Sequence, residues 1–253
     1  MQISATIIAL NEEKNIAEAI KSVDWADEIL VVDGESIDAT RKIAESLGAK
    51  VITQKWLGFS KQKQFAVDNA AFDWVFSIDA DERISEELRT EITELKKKGE
   101  NADGYRVPRL SFYMNRPIRH GGWYPDWQIR LFNRKNGKWK DVLIHESVEV
   151  DGKIGKLNGD ILHYSWEGAA HHHRMIGERY APLAAREDFE HGRRTSRLKI
   201  ITAGPIAFFQ TYILKAGFLD GFAGFCIARF AAHLAFLKQL YLHEMQQAKE
   251  NDS

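Results

Sequence analysis

At 253 residues the chain is long enough to bury one sizeable core, and 44% hydrophobic against 28% charged residues is ordinary for a globular protein. A formal net charge of -1 supplies no global field for nucleic acid, so that class of partner is not expected. The single cysteine, Cys226, rules out an internal disulfide and reads as packing. The opening Met1-Gln2-Ile3-Ser4 lacks a basic stretch followed by an apolar one, so a cytoplasmic chain is expected.

Residues 2–10 (QISATIIAL) read as a strand, 13–23 as a helix, 28–33 (EILVVD) as a second strand and 39–47 as a helix. A short strand over 50–53 and a helix over 61–71 follow. The apolar run Trp74-Val75-Phe76 reads as a buried strand, and Ser85 caps a helix running to Lys98, where Glu86 and Glu87 suit the helix dipole. This alternation predicts an α/β fold of βαβ units around a mainly parallel central sheet covered on both faces.

Ligands of open α/β sheets bind outside the carboxyl ends of the strands. Three polar clusters stand at those ends: Asn11-Glu12-Glu13, Asp33-Gly34-Glu35-Ser36 and Asp79-Ala80-Asp81-Glu82. Carboxylates as crowded as the last three repel one another and invite a hard divalent cation, which takes its other ligands from water and substrate phosphates. The competing reading is a solvated acidic turn ahead of the Ser85 helix.

The last third differs in character. Residues 200–214 (IITAGPIAFFQTYIL) are mostly apolar, and Phe218, Leu219, Phe222, Phe225, Cys226, Phe230, Leu234, Leu237 and Tyr241 recur at helical spacing. Lys215, Asp220 and Arg229 interrupt the run and Gly204-Pro205 cuts it, so no uncharged stretch reaches the roughly 20 residues of a span, and no transmembrane helix is expected. Arg193, Arg194, Arg197 and Lys199 put four basic residues in seven positions just upstream, which suits an anionic bilayer surface. The alternative is a helical hairpin packed on the catalytic domain or on a second subunit of a homo-oligomer.

The segments from Ala9 to Ile16, Val31 to Thr40 and Asp79 to Glu82 resemble, in order and spacing, the nucleotide-sugar half of family 2 glycosyltransferases, which have the GT-A fold. Residues 121–132, His145-Glu146, His163-Tyr164, Gly204-Pro205 and 215–221 extend the resemblance to the lipopolysaccharide-core β-1,4-glucosyltransferase (WaaE- or KdtX-like) type. The resemblance implies a GT-A catalytic domain over 1–167, with a nucleotide-sugar half to about 110 and an acceptor half from 111, and a helical membrane-associating or oligomerising extension over 168–253.

It also implies roles. A sugar nucleotide leaves as a diphosphate, whose charge a divalent cation, Mg2+ or Mn2+, would offset. Asp81 is the expected metal ligand, Asp79 holds ribose or a metal-bound water, and His163 completes the site with His145 as its rival. An inverting transfer needs a base on the acceptor hydroxyl. Asp126, in Pro125-Asp126-Trp127-Gln128-Ile129-Arg130, is that candidate, and Glu146 is the alternative. Asn11 and Glu12 are expected near base and ribose, Asp33 at the uracil imide or ribose, and Lys63 at the nucleotide. Trp123, Tyr124 and Trp127 suit stacking on a sugar, or equally core packing. His171-His172-His173 looks like a metal tract, yet consecutive helical residues do not share a face, so a solvated helix start is expected.

The resulting expectation is metal-dependent inverting transfer, of glucose from UDP-glucose to an inner-core heptose of lipopolysaccharide, by an enzyme peripheral on the inner face of the cytoplasmic membrane. The rivals are a family 2 transferase acting on polyprenyl phosphate or another surface glycan, and an inactive nucleotide-sugar-binding protein. A nucleotidyltransferase would show a glycine-rich loop after its first strand, where this chain has Asn11-Glu12-Glu13-Lys14.

Overall fold

The computed structural model describes residues 1–99, 101–141, 146–164 and 168–251. His145 lies outside them. The chain forms two units, residues 1–110 with 126–163, and residues 111–125 with 164–253. The segment 111–125, spliced between two strands of the first unit, thus groups with the C-terminal residues.

The first unit begins with β1 (Ile3–Ala9), α1 (Ile16–Ser22), β2 (Glu28–Asp33), α2 (Thr40–Ser46), β3 (Lys50–Thr53), α3 (Phe59–Asp68) and β4 (Trp74–Asp79). Strands β3, β2, β1 and β4 lie side by side in parallel. Every residue of β1 is buried, as the almost unbroken apolar stretch ISATIIA requires of a central strand. Next come β5 (Glu82–Ile84), α4 (Glu86–Lys98) and β6 (Gly104–Tyr113), whose last residues belong to the second unit; β7 (Arg116–Pro117) pairs there with its end. The first unit resumes with β8 (Asp126–Asn133), β9 (Gly137–Trp139), β10 (Val148–Val150), β11 (Ile154–Lys156) and β12 (Ile161–His163). Antiparallel pairing of β8 with β4 and with β6 carries the sheet past its parallel half, and β12 pairs antiparallel with β5.

Ser85 caps α4 as expected: its Oγ accepts the Leu88 N–H at 3.2 Å, and Glu86 and Glu87 occupy the first turn while Lys96, Lys97 and Lys98 occupy the last. Ile3, Ile7, Ile16, Phe76, Leu88, Ile92 and Leu131 share one core, so α1 and α4 hold the sheet through apolar contact.

The second unit contains α5 (Ala169–Arg174), a π-helical turn (Met175–Tyr180), α6 (Ala181–Glu190), α7 (Arg197–Phe209), a second π-helical turn (Gln210–Leu214), a 3-10 turn (Gly217–Asp220) and α8 (Gly221–Asn251). Tyr113, Ile118, Ala223 and Ile227 form its core, with Trp123, Cys226 and Phe230 against it, so Cys226 does serve packing. The histidine tract departs from the expected solvated start. His172 is buried, stacked on Phe230 at 4.1 Å between centroids and edge-on to Tyr113 at 5.5 Å, and burial followed by the neighbouring His171 charge pushes its pKa down to about 4.

Leu198, Ile201, Leu214, Leu219 and Phe222 are each more than 60% exposed, far beyond a scatter of single surface apolar residues. Residues 217–249 are also long and apolar enough, by length and composition, to cross a membrane, with 28% of the apolar window buried. The charges that interrupt this stretch in the sequence do not take its hydropathy below that of a span, a test by length and composition that a core helix of a soluble protein also passes.

Candidate active site

The carboxyl end of β4 delivers Asp79, and the turn at Ala80 and Asp81 leads into β5. Because β5 pairs antiparallel with β12 and sets Glu82 opposite His163, the Glu82 carboxylate is turned fully inward while His163 comes beside the turn. His163 Nε2 stands 3.4 Å from an Asp81 carboxylate oxygen, and the two side chains are 16% and 24% exposed.

The inner carboxylates are neutralised by cations from three other elements. Lys63 of α3 is buried with its Nζ 2.8 and 2.9 Å from the two Asp79 oxygens. Arg130 of β8, only 2% exposed, donates to Glu82 at 2.7 Å and lies 3.5 Å from Asp79. Both cations lie over the Trp139 ring, at 4.8 and 5.8 Å from its centroid. Glu82 also accepts the Asp79 backbone N–H at 2.9 Å. Burial alone would raise the Asp79 pKa, but the charges of Lys63, Arg130 and Arg109 outweigh it and hold the carboxyl well below the usual carboxylate range.

Arg109 of β6 is the centre of a second arrangement. It stands opposite Asp126 in the β6–β8 register, and its Nε and Nη2 donate to Asp126 Oδ2 at 2.9 and 2.6 Å. Its Nη1 reaches Glu82 at 3.4 Å, which links the two arrangements. Gln128, two residues along the same strand face, donates to Asp126 Oδ1 at 2.7 Å. Burial opposes the Arg109 charge, yet Glu82 and Asp126 more than offset it and push the guanidinium pKa up. Asp126 keeps 36% of its side chain exposed, so it is fixed in orientation and reachable from solvent.

Removing one partner of a buried ion pair leaves the other uncompensated. Glu82→Ala, which takes from Arg130 its 2.7 Å partner and leaves it Asp79 at 3.5 Å, should therefore destabilise the chain by roughly 3–5 kcal/mol in denaturant unfolding. A loss below about 1 kcal/mol would show that Arg130 needs no compensation from Glu82.

The ends of β1 and β2 are tied to each other. Asn11, at φ +58°, donates its N–H to Ser36 Oγ at 2.9 Å and accepts the Ile37 N–H on Oδ1 at 2.9 Å. Glu12 donates its N–H to Thr40 Oγ1 at 2.7 Å and accepts from Asn15 at 2.8 Å. Both side chains therefore bind protein groups that shape the crevice. Asp33 is fully buried: Oδ2 accepts the Ser36 N–H at 3.1 Å, while Oδ1 is buried with no hydrogen-bond partner among the described residues. Gly34 next to it has no Cβ because one would stand 2.8 Å from the Trp56 ring.

The structure brings Lys63, Asp79, Asp81, Asp126, Arg130 and His163 into one connected region of the first unit, through the pairs above. Glu146 lines a small cleft with Leu57, Phe59, Lys61 and Asp141. Trp127 is flanked by Lys156 at 4.4 Å and Arg106 at 5.3 Å. Trp123 and Tyr124 belong to the second unit, where Trp123 meets Tyr113 edge-on at 6.1 Å and Tyr124 carries the Arg119 guanidinium 5.3 Å from its ring centroid. Arg109 belongs to none of the sequence motifs. Its one signal was an arginine inside the otherwise apolar strand from Val107 to Leu110.

A family model described as glycosyl transferase family 2 matches residues 4–148. An uncharacterised glycosyltransferase of Rickettsia typhi is 35% identical over 265 residues, covering 99% of this chain and 89% of that protein. The lipopolysaccharide core biosynthesis glycosyltransferase LpsC of Rhizobium meliloti is 30% identical, over 98% of this chain and 94% of that protein. The crystal structure of S. aureus TarS residues 1–349 in complex with UDP superposes with a TM-score of 0.51 at 14% identity, covering 98% of this chain and 92% of that one, a likeness of fold alone. The chain is a glycosyltransferase of the GT-A fold and belongs to glycosyl transferase family 2.

Proposed function

We propose that the chain transfers a sugar, glucose from UDP-glucose in the first instance, with inversion, to a lipid-anchored saccharide of the lipopolysaccharide inner core, working at the inner face of the cytoplasmic membrane. The observation that carries the reading is the division of labour among the clustered carboxylates. Asp79 and Glu82 are neutralised by Lys63, Arg130 and Arg109, while Asp81 faces His163 and Asp126 is held at one oxygen by Arg109. The name of LpsC, similar along nearly its whole length, supports the lipopolysaccharide assignment.

Asp81 and His163 supply one oxygen and one nitrogen donor, and no group of three or more metal-ligating side chains occurs among the described residues. Two protein donors fit Mg2+ or Mn2+, which fills its remaining positions with phosphate oxygens and water. Bound there, the cation would supply positive charge to the departing diphosphate. The buried Asp33 Oδ1 suits a donor group on the uracil or ribose. Lys63 and Arg130 position Asp79, so Lys63 acts on the nucleotide through that carboxylate. Asp126 takes the proton of the acceptor hydroxyl as its oxygen attacks the anomeric carbon from the side opposite the leaving diphosphate. Arg109 and Gln128 keep the carboxylate aimed during that step.

A thermal-shift screen of nucleotide sugars with Mg2+ or Mn2+ tests the donor. Ligand at 100 times its dissociation constant stabilises by about 2.7 kcal/mol. UDP-glucose should give such a shift, and a larger shift with another nucleotide sugar would replace it as donor.

The basic segment and exposed apolar residues of α7 and α8 support membrane association. Arg193 is tied to Asp188 at 2.7 Å, so the cleaner variant spares it. Arg194→Ser with Arg197→Ser and Lys199→Ser should remove about 1 kcal/mol of attraction per residue, release the protein from anionic liposomes and slow transfer to a lipid-borne acceptor while sparing donor hydrolysis. If hydrolysis falls in parallel, the segment serves the fold instead.

A further inference from the structure

Within the second unit, α7 and α8 meet at Gly204, where a Cβ would stand 3.3 Å from the Ala232 carbonyl oxygen, so the missing side chain lets the helices approach. Beside that contact lies a cavity of about 610 Å³, the size of an ordinary ligand pocket. Ile201, Phe208, Phe209 and Phe236 give it apolar walls, while Arg229 and His233 give it a polar face. Arg229 and His233 are four apart on α8 and so are neighbours on one side of that helix, and Phe236 lies about 10 Å along the axis from Arg229. The cavity therefore runs from a charged end to an apolar one.

The polar face asks for a ligand oxygen. His233 Nε2 is buried with no hydrogen-bond partner among the described residues, while its ring is stacked on His173 at 5.5 Å between centroids. A ring nitrogen left in that state costs free energy that an oxygen from a ligand would recover. An anionic oxygen would in addition gain a charge-assisted bond from the Arg229 guanidinium. A second copy of the chain does not supply it: in a two-fold dimer the same patch meets itself, and from Arg197 to His243 the only acid is Asp220, already engaged by His120 and two backbone N–H groups. A small soluble anion would leave the apolar walls uncovered. An anionic membrane lipid brings both a chain and a charge. Ile201 and Phe209 are 70% and 53% exposed, so the cavity opens among the apolar side chains read as facing a bilayer.

We propose that the cavity between α7 and α8 binds one anionic phospholipid of the membrane, its phosphate on Arg229 and His233 and an acyl chain along Ile201 and Phe236. This rests on reading α7 and α8 as membrane-facing and is independent of which sugar the chain transfers. The lipid would hold the second unit through one defined contact as well as through diffuse surface charge. Binding should therefore saturate at one lipid per chain.

The test uses the full chain and lipids short enough to stay monomeric in water. Dihexanoyl phosphatidylglycerol, dihexanoyl phosphatidylcholine and chain-free glycerol 3-phosphate are each titrated calorimetrically below the micelle concentration. The site predicts saturable binding of phosphatidylglycerol, about fivefold tighter than of phosphatidylcholine, as one cation beside an anionic lipid supplies, and no binding of glycerol 3-phosphate at the same concentrations. Arg229→Gln should erase the difference between the two lipids, and Ile201→Asp, which sets a carboxylate against the apolar end, should weaken both. Both replaced side chains are exposed, so thermal unfolding and UDP-glucose hydrolysis should stay unchanged. Equal affinity of the wild type for the two lipids, unchanged affinities in both variants, or glycerol 3-phosphate bound as tightly as phosphatidylglycerol each overturns the site. Dimerisation of the lipid-free chain that Arg229→Gln strengthens also overturns it, in favour of a second copy. Sedimentation with phosphatidylglycerol vesicles is measured alongside: a wild type that stays in the supernatant counts against the membrane reading, whereas one that sediments yet takes up no soluble lipid counts against the cavity alone.

Discussion

Asp126→Asn should lower turnover by about 10² to 10⁴ with donor affinity nearly unchanged. Asparagine keeps the size of the side chain and an oxygen for Arg109, whose Nε and Nη2 donate to Oδ2 at 2.9 and 2.6 Å. What it loses is a basic oxygen for the acceptor hydroxyl. Kinetics with saturating donor, beside direct titration of the donor, separates the two quantities. If donor affinity collapses with turnover, Asp126 holds the site together through Arg109 and Glu82, and Glu146 becomes the base to examine. The link at 3.4 Å from Arg109 to Glu82 makes Arg109→Lys informative too, because lysine cannot reproduce the paired donation. Its expected effect is a smaller fall in turnover than that of Asp126→Asn, since the base itself survives.

Asp81→Ala should abolish transfer and remove the metal dependence of nucleotide binding while leaving the fold intact. Asp81 sits in the turn between β4 and β5, outside the buried pairs of Asp79 and Glu82, and its one ionic neighbour among the described residues is His163. Unfolding by denaturant should therefore change little, in contrast to the large loss expected for Glu82→Ala. Nucleotide titrations with Mn2+ and with chelator give the direct readout. Near-normal transfer in chelator, or an unchanged metal response in the variant, would remove Asp81 from the metal site.

The parallel half of the fold was legible because local pattern and tertiary role agree there. The second and third strands fall at 28–33 and 50–53 as expected, and Ser85 caps its helix through the Leu88 N–H. The first helix was expected from residue 13 but starts at Ile16, since Asn11 at positive φ and the turn after it are taken up by bonds to Ser36, Ile37 and Thr40. The third helix begins at Phe59 because Gly58 at φ +89° ends the preceding extended chain.

The acidic cluster is legible in the sequence as a candidate site, but its internal arrangement is not. Glu82 looks like one more acid of a solvated turn until β5 pairs with β12 and drives it inward against Arg130, which lies 48 residues later. Arg109 gains its role from facing Asp126 across an antiparallel pair that contains a register shift at Tyr105 and Arg106, and no local pattern encodes that shift. His172 is buried for a similar reason: Phe230 and Tyr113, which enclose it, are remote in sequence.

Release of UDP from UDP-glucose by the purified chain tests the central claim most directly, followed with delipidated inner-core oligosaccharide present and absent, in Mn2+ and in chelator. The account predicts metal-dependent release that the oligosaccharide accelerates, with the new glycosidic bond β-configured and hence inverted relative to the donor, and both absent in Asp81→Ala. Release that persists undiminished in chelator and in Asp81→Ala, or a product that keeps the donor's anomeric configuration, would contradict it.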